Sequence, residues 1–172
     1  MKALVVYYSL TGKTKLVAEA IAQNLNTDIR RVEDLRKRSV LGRLSGVISA
    51  IRNMKSEIKP ADFDIHNYDL VFIGTPVWAF KPTPAINTFI LKADFKNKKV
   101  VLFITMGGIG GKNTIKVMRN TIETKGGKII NSFAIRTGGV KDEQIIEKGN
   151  EIGRQYKNLK RICRICWQAT LN

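Results

Sequence analysis

Cysteine is scarce in this chain, and the two that occur, Cys163 and Cys166, lie close together near the C-terminus. A bond between them would close a loop too short to staple a fold, so the core has to rest on hydrophobic burial. Two thiols without further ligands do not complete a zinc site either, and no metal is expected. Long apolar runs are missing as well: stretches such as residues 3–8 and 70–74 are far below the ~18 residues of a membrane span. Lys2 opens a strand-like run rather than a signal peptide, which points to the cytoplasm. Acidic residues are outnumbered, 14 against 30 Lys and Arg, for a formal net charge of +16. Yet 44% of the 172 residues are hydrophobic, as in packed globular proteins, and disorder is excluded. The length suits one domain and leaves no room for a second catalytic one.

Apolar runs bounded by turn residues alternate with segments of helical period, the pattern of a parallel sheet flanked by helices. Strands are predicted over residues 2–8, 28–32, 69–75, 99–105 and 128–135. Helices are predicted over 13–25, 83–91, 112–125 and 142–156, with a further one where Val40, Leu41, Leu44, Val47, Ile48 and Ile51 recur at helical spacing. Strands joined by crossover helices run parallel with right-handed connections, so the expected architecture is α/β, a doubly wound three-layer sandwich on a five-stranded parallel sheet. Residues 1–157 form the expected domain and 158–172 a basic tail.

Ligands of such folds sit beyond the carboxyl ends of the strands. After the first strand the chain reads Ser9, Leu10, Thr11, Gly12, Lys13, Thr14 and enters an amphipathic helix. Three hydroxyls, a glycine and the free N–H groups of a helix start make a cradle for a phosphate dianion. Hydroxyls that serve only as helix caps are the plainer alternative. A Walker A loop would need a glycine where Tyr7 stands, and the dinucleotide Gly-x-Gly-x-x-Gly is absent here.

This loop resembles the phosphate loop of the flavodoxin family, Ser/Thr-x-Thr-Gly-x-Thr, at Ser9, Thr11, Gly12 and Thr14. Residues 69–78, ending Thr75, Pro76, Val77, Trp78, resemble that family's third strand and first flavin-facing loop. Thr105, Met106, Gly107, Gly108, Ile109, Gly110 and Gly111 resemble its second. The resemblance implies strand order 2-1-3-4-5 and FMN as cofactor, its phosphate at residues 9–14 and its isoalloxazine ring between the other two loops. The implied binding residues are Ser9 to Thr14, then Thr75, Pro76, Val77, Trp78, Ala79 and Phe80, then Thr105, Met106, Gly107, Gly108 and Gly110.

An exposed indole at Trp78 is a natural stacking platform for a planar ring, and Phe80 can share that role. Between Thr105 and Lys112 no aromatic residue is present to cover the other face. Either that face is open to a second substrate, or Ile109 or Met106 covers it. Flavodoxins are usually acidic around the flavin, whereas Lys13, Lys81 and Lys112 stand beside these loops. A unit charge about 8–10 Å away, at an effective dielectric near 20, favours an anionic reduced flavin by roughly 1.5–2 kcal/mol before screening. That corresponds to about 60–90 mV towards less negative potential.

Residues 30–59 hold nine Lys and Arg against three acids, and five basic residues from Arg154 onward meet no acid. Acidic redox partner proteins are therefore expected. The amphipathic element at 40–51 should pack on the sheet, with membrane-surface contact as the lesser reading. No groove-reading motif accompanies the charge, so nucleic acid is not expected. Cys163 and Cys166 make a Cys-x-x-Cys outside the strand-to-helix junction where redox pairs sit, and His66 precedes the third strand, on the wrong side of the sheet for catalysis. No catalytic acid–base pair is visible in the three loops. The sequence thus suggests an electron carrier, with an FMN-dependent oxidoreductase for a quinone, NAD(P)H or protoporphyrinogen-type substrate as the alternative. A flavin-free basic interaction module is the remote third.

Overall fold

The computed structural model describes residues 1–35, 57–59 and 64–169, the last twelve of these by backbone path alone. Its elements are β1 Ala3–Tyr7, α1 Lys13–Leu25, β2 Asp28–Arg31, β3 Glu33–Asp34, β4 Ile58–Lys59, β5 Leu70–Pro76, α2 Pro84–Lys92, β6 Lys99–Met106, α3 Gly111–Thr124, β7 Lys128–Arg136 and α4 Asp142–Ala169. The five long strands form one sheet in the order β2-β1-β5-β6-β7, parallel throughout. Counted without the short β3 and β4, this is the expected order 2-1-3-4-5.

Side-chain alternation along the central strands sorts the core into two layers, one on each face. Leu4, Val6, Val71, Ile73, Val100, Leu102 and Ile104 pack with Ile86, Phe89 and Ile122 of α2 and α3. Ala3, Val5, Tyr7, Phe72, Val101 and Phe103 pack with Val17, Ile21, Ile145 and Ile152 of α1 and α4. A fully buried side chain of this kind contributes about 1.5–3 kcal/mol. Such double burial explains why β1, β5 and β6 read as nearly continuous apolar runs. The edge strand β2 has the sequence Asp-Ile-Arg-Arg and is largely exposed, and its charges discourage pairing with another chain.

Two differences from the sequence expectation have local causes. β3 and β4 pair antiparallel as a separate two-stranded ribbon, too short for any periodicity to reveal. The last helix does not end at Tyr156 but continues to Ala169, because no proline or glycine follows Gly153 to stop it. The boundary expected between 157 and 158 therefore falls inside a continuous helix. The helix expected around residues 40–51 lies outside the described residues.

Gly74 near the carboxyl end of β5 shows how closely the sheet and its cover meet. A β-carbon built there would lie 2.1 Å from Cζ and 2.2 Å from Cε2 of Phe103, a ring buried on all sides. Gly74→Ala should destabilise the fold by about 1–3 kcal/mol through overpacking, read as a lower urea midpoint with unchanged slope.

Candidate functional site

Parallel strands release their following loops at one edge, and three loops meet there. Tyr8 N–H donates to Gly74 O (3.1 Å) and Val77 N–H to Thr105 O (2.9 Å), so the ends of β1, β5 and β6 are tied in sequence. The Tyr8 and Trp78 rings meet edge to face, centroids 5.8 Å apart at 88°. That contact sets Trp78 beside the loop that begins at Ser9.

In the first loop Gly12 adopts φ +88° and caps α1, whose first turn has no side-chain cap and no acidic residue. The opening N–H groups of α1 thus lack helical partners and present the positive end of the helix dipole. Ser9 is 8% exposed, and its Oγ is buried without a hydrogen-bond partner among the described residues. A buried hydroxyl left unpaired costs about 1–3 kcal/mol. An anion above the helix start would satisfy both, and the residues present fit a phosphate monoester. Leu10 and Thr11 are exposed beside it. A cleft of about 330 Å³ opens against Ser9 and Leu10 and is bounded on the β2 side by Arg31, whose Nε lies 3.5 Å from Glu33 Oε1. Beneath the loop, burial pushes the Tyr7 phenol pKa up, reinforced by the Glu19 carboxylate.

Several expected ligand-binding side chains prove to be partly occupied by the fold. Thr14 is buried, and its hydroxyl shares a 2.7 Å hydrogen bond with that of Thr105. If Thr105 donates, the Thr14 proton remains available to a phosphate oxygen. Thr75, fully buried, accepts from Thr83 N–H (3.1 Å) and donates to Pro76 O (3.0 Å). Thr75 and Thr105 therefore lie under the loops and brace them. Lys13 Nζ forms an ion pair with Asp142 Oδ1 at 2.5 Å, so its charge is offset. Lys81, half-buried, and Lys112, exposed, form no ion pair among the described residues.

The second loop makes a tight reversal. Trp78 and Lys81 exchange backbone hydrogen bonds of 3.0 and 2.9 Å, with Ala79 at φ +45° and Phe80 at φ +63° between them. Positive φ at both central positions is a primed turn, which ordinarily takes Asn and Gly. The strain holds Phe80 half-exposed at the rim. Trp78 is not the exposed platform expected: it is half-buried and packs on the core beneath, because Tyr8 claims one edge of its indole.

The third loop is glycine-rich for a steric reason at one position. Gly110 has φ +97°, and a β-carbon there would lie 2.9 Å from Phe80 Cδ1 and 3.0 Å from Val77 Cγ1. Gly107 and Gly108 face open space, Ile109 is 77% exposed, and Met106 is half-buried. The sequence reading missed the residues that buttress the second and third loops. Thr137 N–H donates to Met106 O (2.8 Å), and Asn113 Nδ2 donates to Phe80 O (2.8 Å). Asp142 was missed too. Each acts across the fold at a separation no motif records. His66 is exposed at the opposite, amino edge, as expected.

Fold and site together define a doubly wound α/β protein whose loop after the first strand fits a phosphate ester and is flanked by two further loops. The chain belongs to the flavodoxin family, whose model matches residues 2–142. It is 30% identical over 137 residues to the flavodoxin-like domain-containing protein BilS of Clostridioides difficile (strain CD3), spanning 77% of this chain and 64% of that one. The chain thus covers slightly less than two thirds of that relative's length. It is 28% identical over 138 residues to protein MJ0298 of Methanocaldococcus jannaschii, covering 79% and 75%. Among solved structures, a flavoprotein from Bacteroides eggerthii DSM 20697 superimposes with TM-score 0.68 at 26% identity over 88% of this chain and 97% of that one. A flavoprotein from Lactobacillus acidophilus NCFM, solved in complex with FMN, superimposes with TM-score 0.68 at 25% identity, covering 86% and 97%.

Two substitutions test the first and second loops. Ser9→Ala removes an unpaired buried hydroxyl, so the ligand-free protein should gain about 1 kcal/mol while FMN binding weakens roughly tenfold; parallel thermal melts and flavin titrations read both. Ala79→Asn suits the left-handed backbone better and should add about 0.5–1 kcal/mol of stability, measured by urea unfolding.

Proposed function

We propose that this flavodoxin-like flavoprotein holds one FMN non-covalently and shuttles electrons between redox partner proteins. The unpartnered Ser9 hydroxyl above the uncapped start of α1 is the observation that supports this reading most directly. The phosphate rests on Ser9, Thr11, Gly12 and the N–H groups of Lys13 and Thr14. The ring lies between the loops of Trp78 to Phe80 and Met106 to Gly110, with glycine N–H groups close to its polar edge. Bound FMN supplies the one- and two-electron redox chemistry, and the protein sets potential and access. With Lys13 neutralised by Asp142, Lys81 and Lys112 are the cations that favour an anionic reduced flavin. The redox partners are acidic at their contact surface, and the protein works in the cytoplasm. No helix among the described residues is long and apolar enough to cross a membrane.

One feature favours an enzymatic variant of the same reading. Ile109 projects outward instead of packing, and Gly107 and Gly108 offer no side chain to cover a ring. An uncovered flavin face would accept hydride from NAD(P)H, or pass electrons to a quinone or from a protoporphyrinogen-type molecule.

The tests are direct. Thr11→Val combined with Gly12→Val should weaken FMN binding at least about tenfold, because a hydroxyl donor is lost and a β-branched residue cannot hold φ +88°. Unchanged affinity would place the phosphate elsewhere. Anaerobic mixing of the reduced protein with small quinones, and of the oxidised protein with nicotinamides, separates carrier from enzyme: rapid multiple turnover with a small molecule would overturn the carrier reading.

A further inference from the structure

Lysines gather at the amino edge of the sheet, the pole opposite the three loops. Lys99 and Lys128 are register partners at the starts of β6 and β7. Lys128 N–H donates to Lys98 O (2.8 Å) and Asn97 N–H to Gly126 O (3.3 Å). Lys125 Nζ donates to Leu91 O (2.8 Å), beside Lys92, and Lys98 Nζ to His66 O (2.6 Å). The Lys96 backbone lies against Gly126. These contacts bring Lys92, Lys96, Lys98, Lys99, Lys125 and Lys128 onto one edge. Carboxylates share the edge: Asp94 accepts from Lys96 N–H at 3.0 Å, Asp69, whose backbone O accepts from Lys99 N–H, faces the N-terminal ammonium at 3.8 Å, and Glu123 pairs with Arg119 at 3.2 Å. Among the described residues Lys96, Lys98, Lys99, Lys125 and Lys128 form no ion pair. Carbonyl acceptors for two of them leave the charge uncompensated. Leu91 and Ile130 stand exposed among them at 42% and 39%.

The course of α4 extends this pole. Its first residue is held at the loop edge by the Lys13–Asp142 pair, Asn150 meets Asn24 near the end of α1 (2.8 Å), and Tyr156 packs edge-on against Phe72 at 5.1 Å. The helix therefore runs from the loop edge to the amino edge. Its remaining residues to Ala169 continue for about 20 Å along the axis. That stretch contains Lys157, Lys160, Arg161 and Arg164, no carboxylate, and Leu159, Ile162, Ile165 and Trp167.

We infer that the amino edge is a docking face for an anionic lipid surface. Lysine is a flexible point charge without the planar fork that fixes carboxylates in a defined pairing. Lysines spread over an edge, interspersed with exposed aliphatic residues and continued by a basic apolar helix containing tryptophan, match the requirements of an anionic bilayer interface. A defined carboxylate pairing on a protein partner would favour arginine forks instead, and the exposed aliphatic residues add what a phosphate backbone would not use. Docking in this manner turns the three loops away from the bilayer, leaving the cofactor site open to soluble partners.

Co-sedimentation of the full chain with vesicles tests this, with protein in the pellet as the readout, so the outcome is independent of whether FMN is bound. The protein should pellet with mixed phosphatidylglycerol/phosphatidylcholine vesicles and not with phosphatidylcholine alone, and high salt should release it. Lys96→Glu/Lys99→Glu/Lys128→Glu should lower the partition coefficient at least about tenfold with an unchanged thermal melt. Lys81→Glu/Lys112→Glu, at the opposite pole, should leave it within about twofold. No binding to anionic vesicles, equal loss in both variants, or binding that survives the triple reversal would each overturn the inference, as would retention on RNA with vesicles ignored.

Discussion

A buried hydroxyl with no hydrogen-bond partner among the described residues, set over a helix start with no side-chain cap, is the constraint around which the loop edge is arranged. Ser9 and α1 are each unfavourable alone: one holds a desolvated polar atom, the other a turn of unsatisfied N–H groups. In water a chain could relieve both by opening the loop, but β1 is buried along its whole length and anchors the loop's entrance. The site is thus kept short of an anion by the rigidity of the strand beneath it. A bound phosphate monoester would repay that frustration, and such preorganisation reduces what binding has to spend on ordering.

Around this cradle the fold uses its threonines as braces. Thr14 joins α1 to the end of β6 through Thr105, and Thr75 joins the end of β5 to the start of α2 through Thr83. Neighbouring loops are thereby locked to one another from below, while the groups above stay accessible. The same division appears in the turn between Trp78 and Lys81. Its backbone is strained at Ala79 and Phe80, and the contacts of Gly110 and Asn113 with that turn hold it in place. Strain of this kind persists only where surrounding structure over-determines it.

Charge is arranged by pole. At the loop edge cations alternate with carboxylates, as in the Lys13–Asp142 and Arg31–Glu33 pairs. At the amino edge Asp28 and Asp69 face Lys2 and the N-terminus, while Lys96, Lys98, Lys99, Lys125 and Lys128 stand together without an ion pair among the described residues. A net charge of +16 by itself announces only a preference for anions. Its division between the edges separates a site where potential is adjusted from a face where attraction is long-ranged and screened by salt.

The primary structure alone determined the architecture and marked the candidate site. Burial on both faces makes a central strand apolar without interruption, and the strand-to-helix turn at Ser9 to Thr14 needs hydroxyls and a glycine in adjacent positions, so both leave local marks. Local marks failed where partners are distant in the chain. That Thr105 would face Thr14, that Asp142 would neutralise Lys13, that Tyr8 would draw Trp78 inward, and that six scattered lysines would share one edge are consequences of parallel registry between segments dozens of residues apart. Only the assembled sheet decides them, because only there do the strand ends come into hydrogen-bonding and Coulombic range.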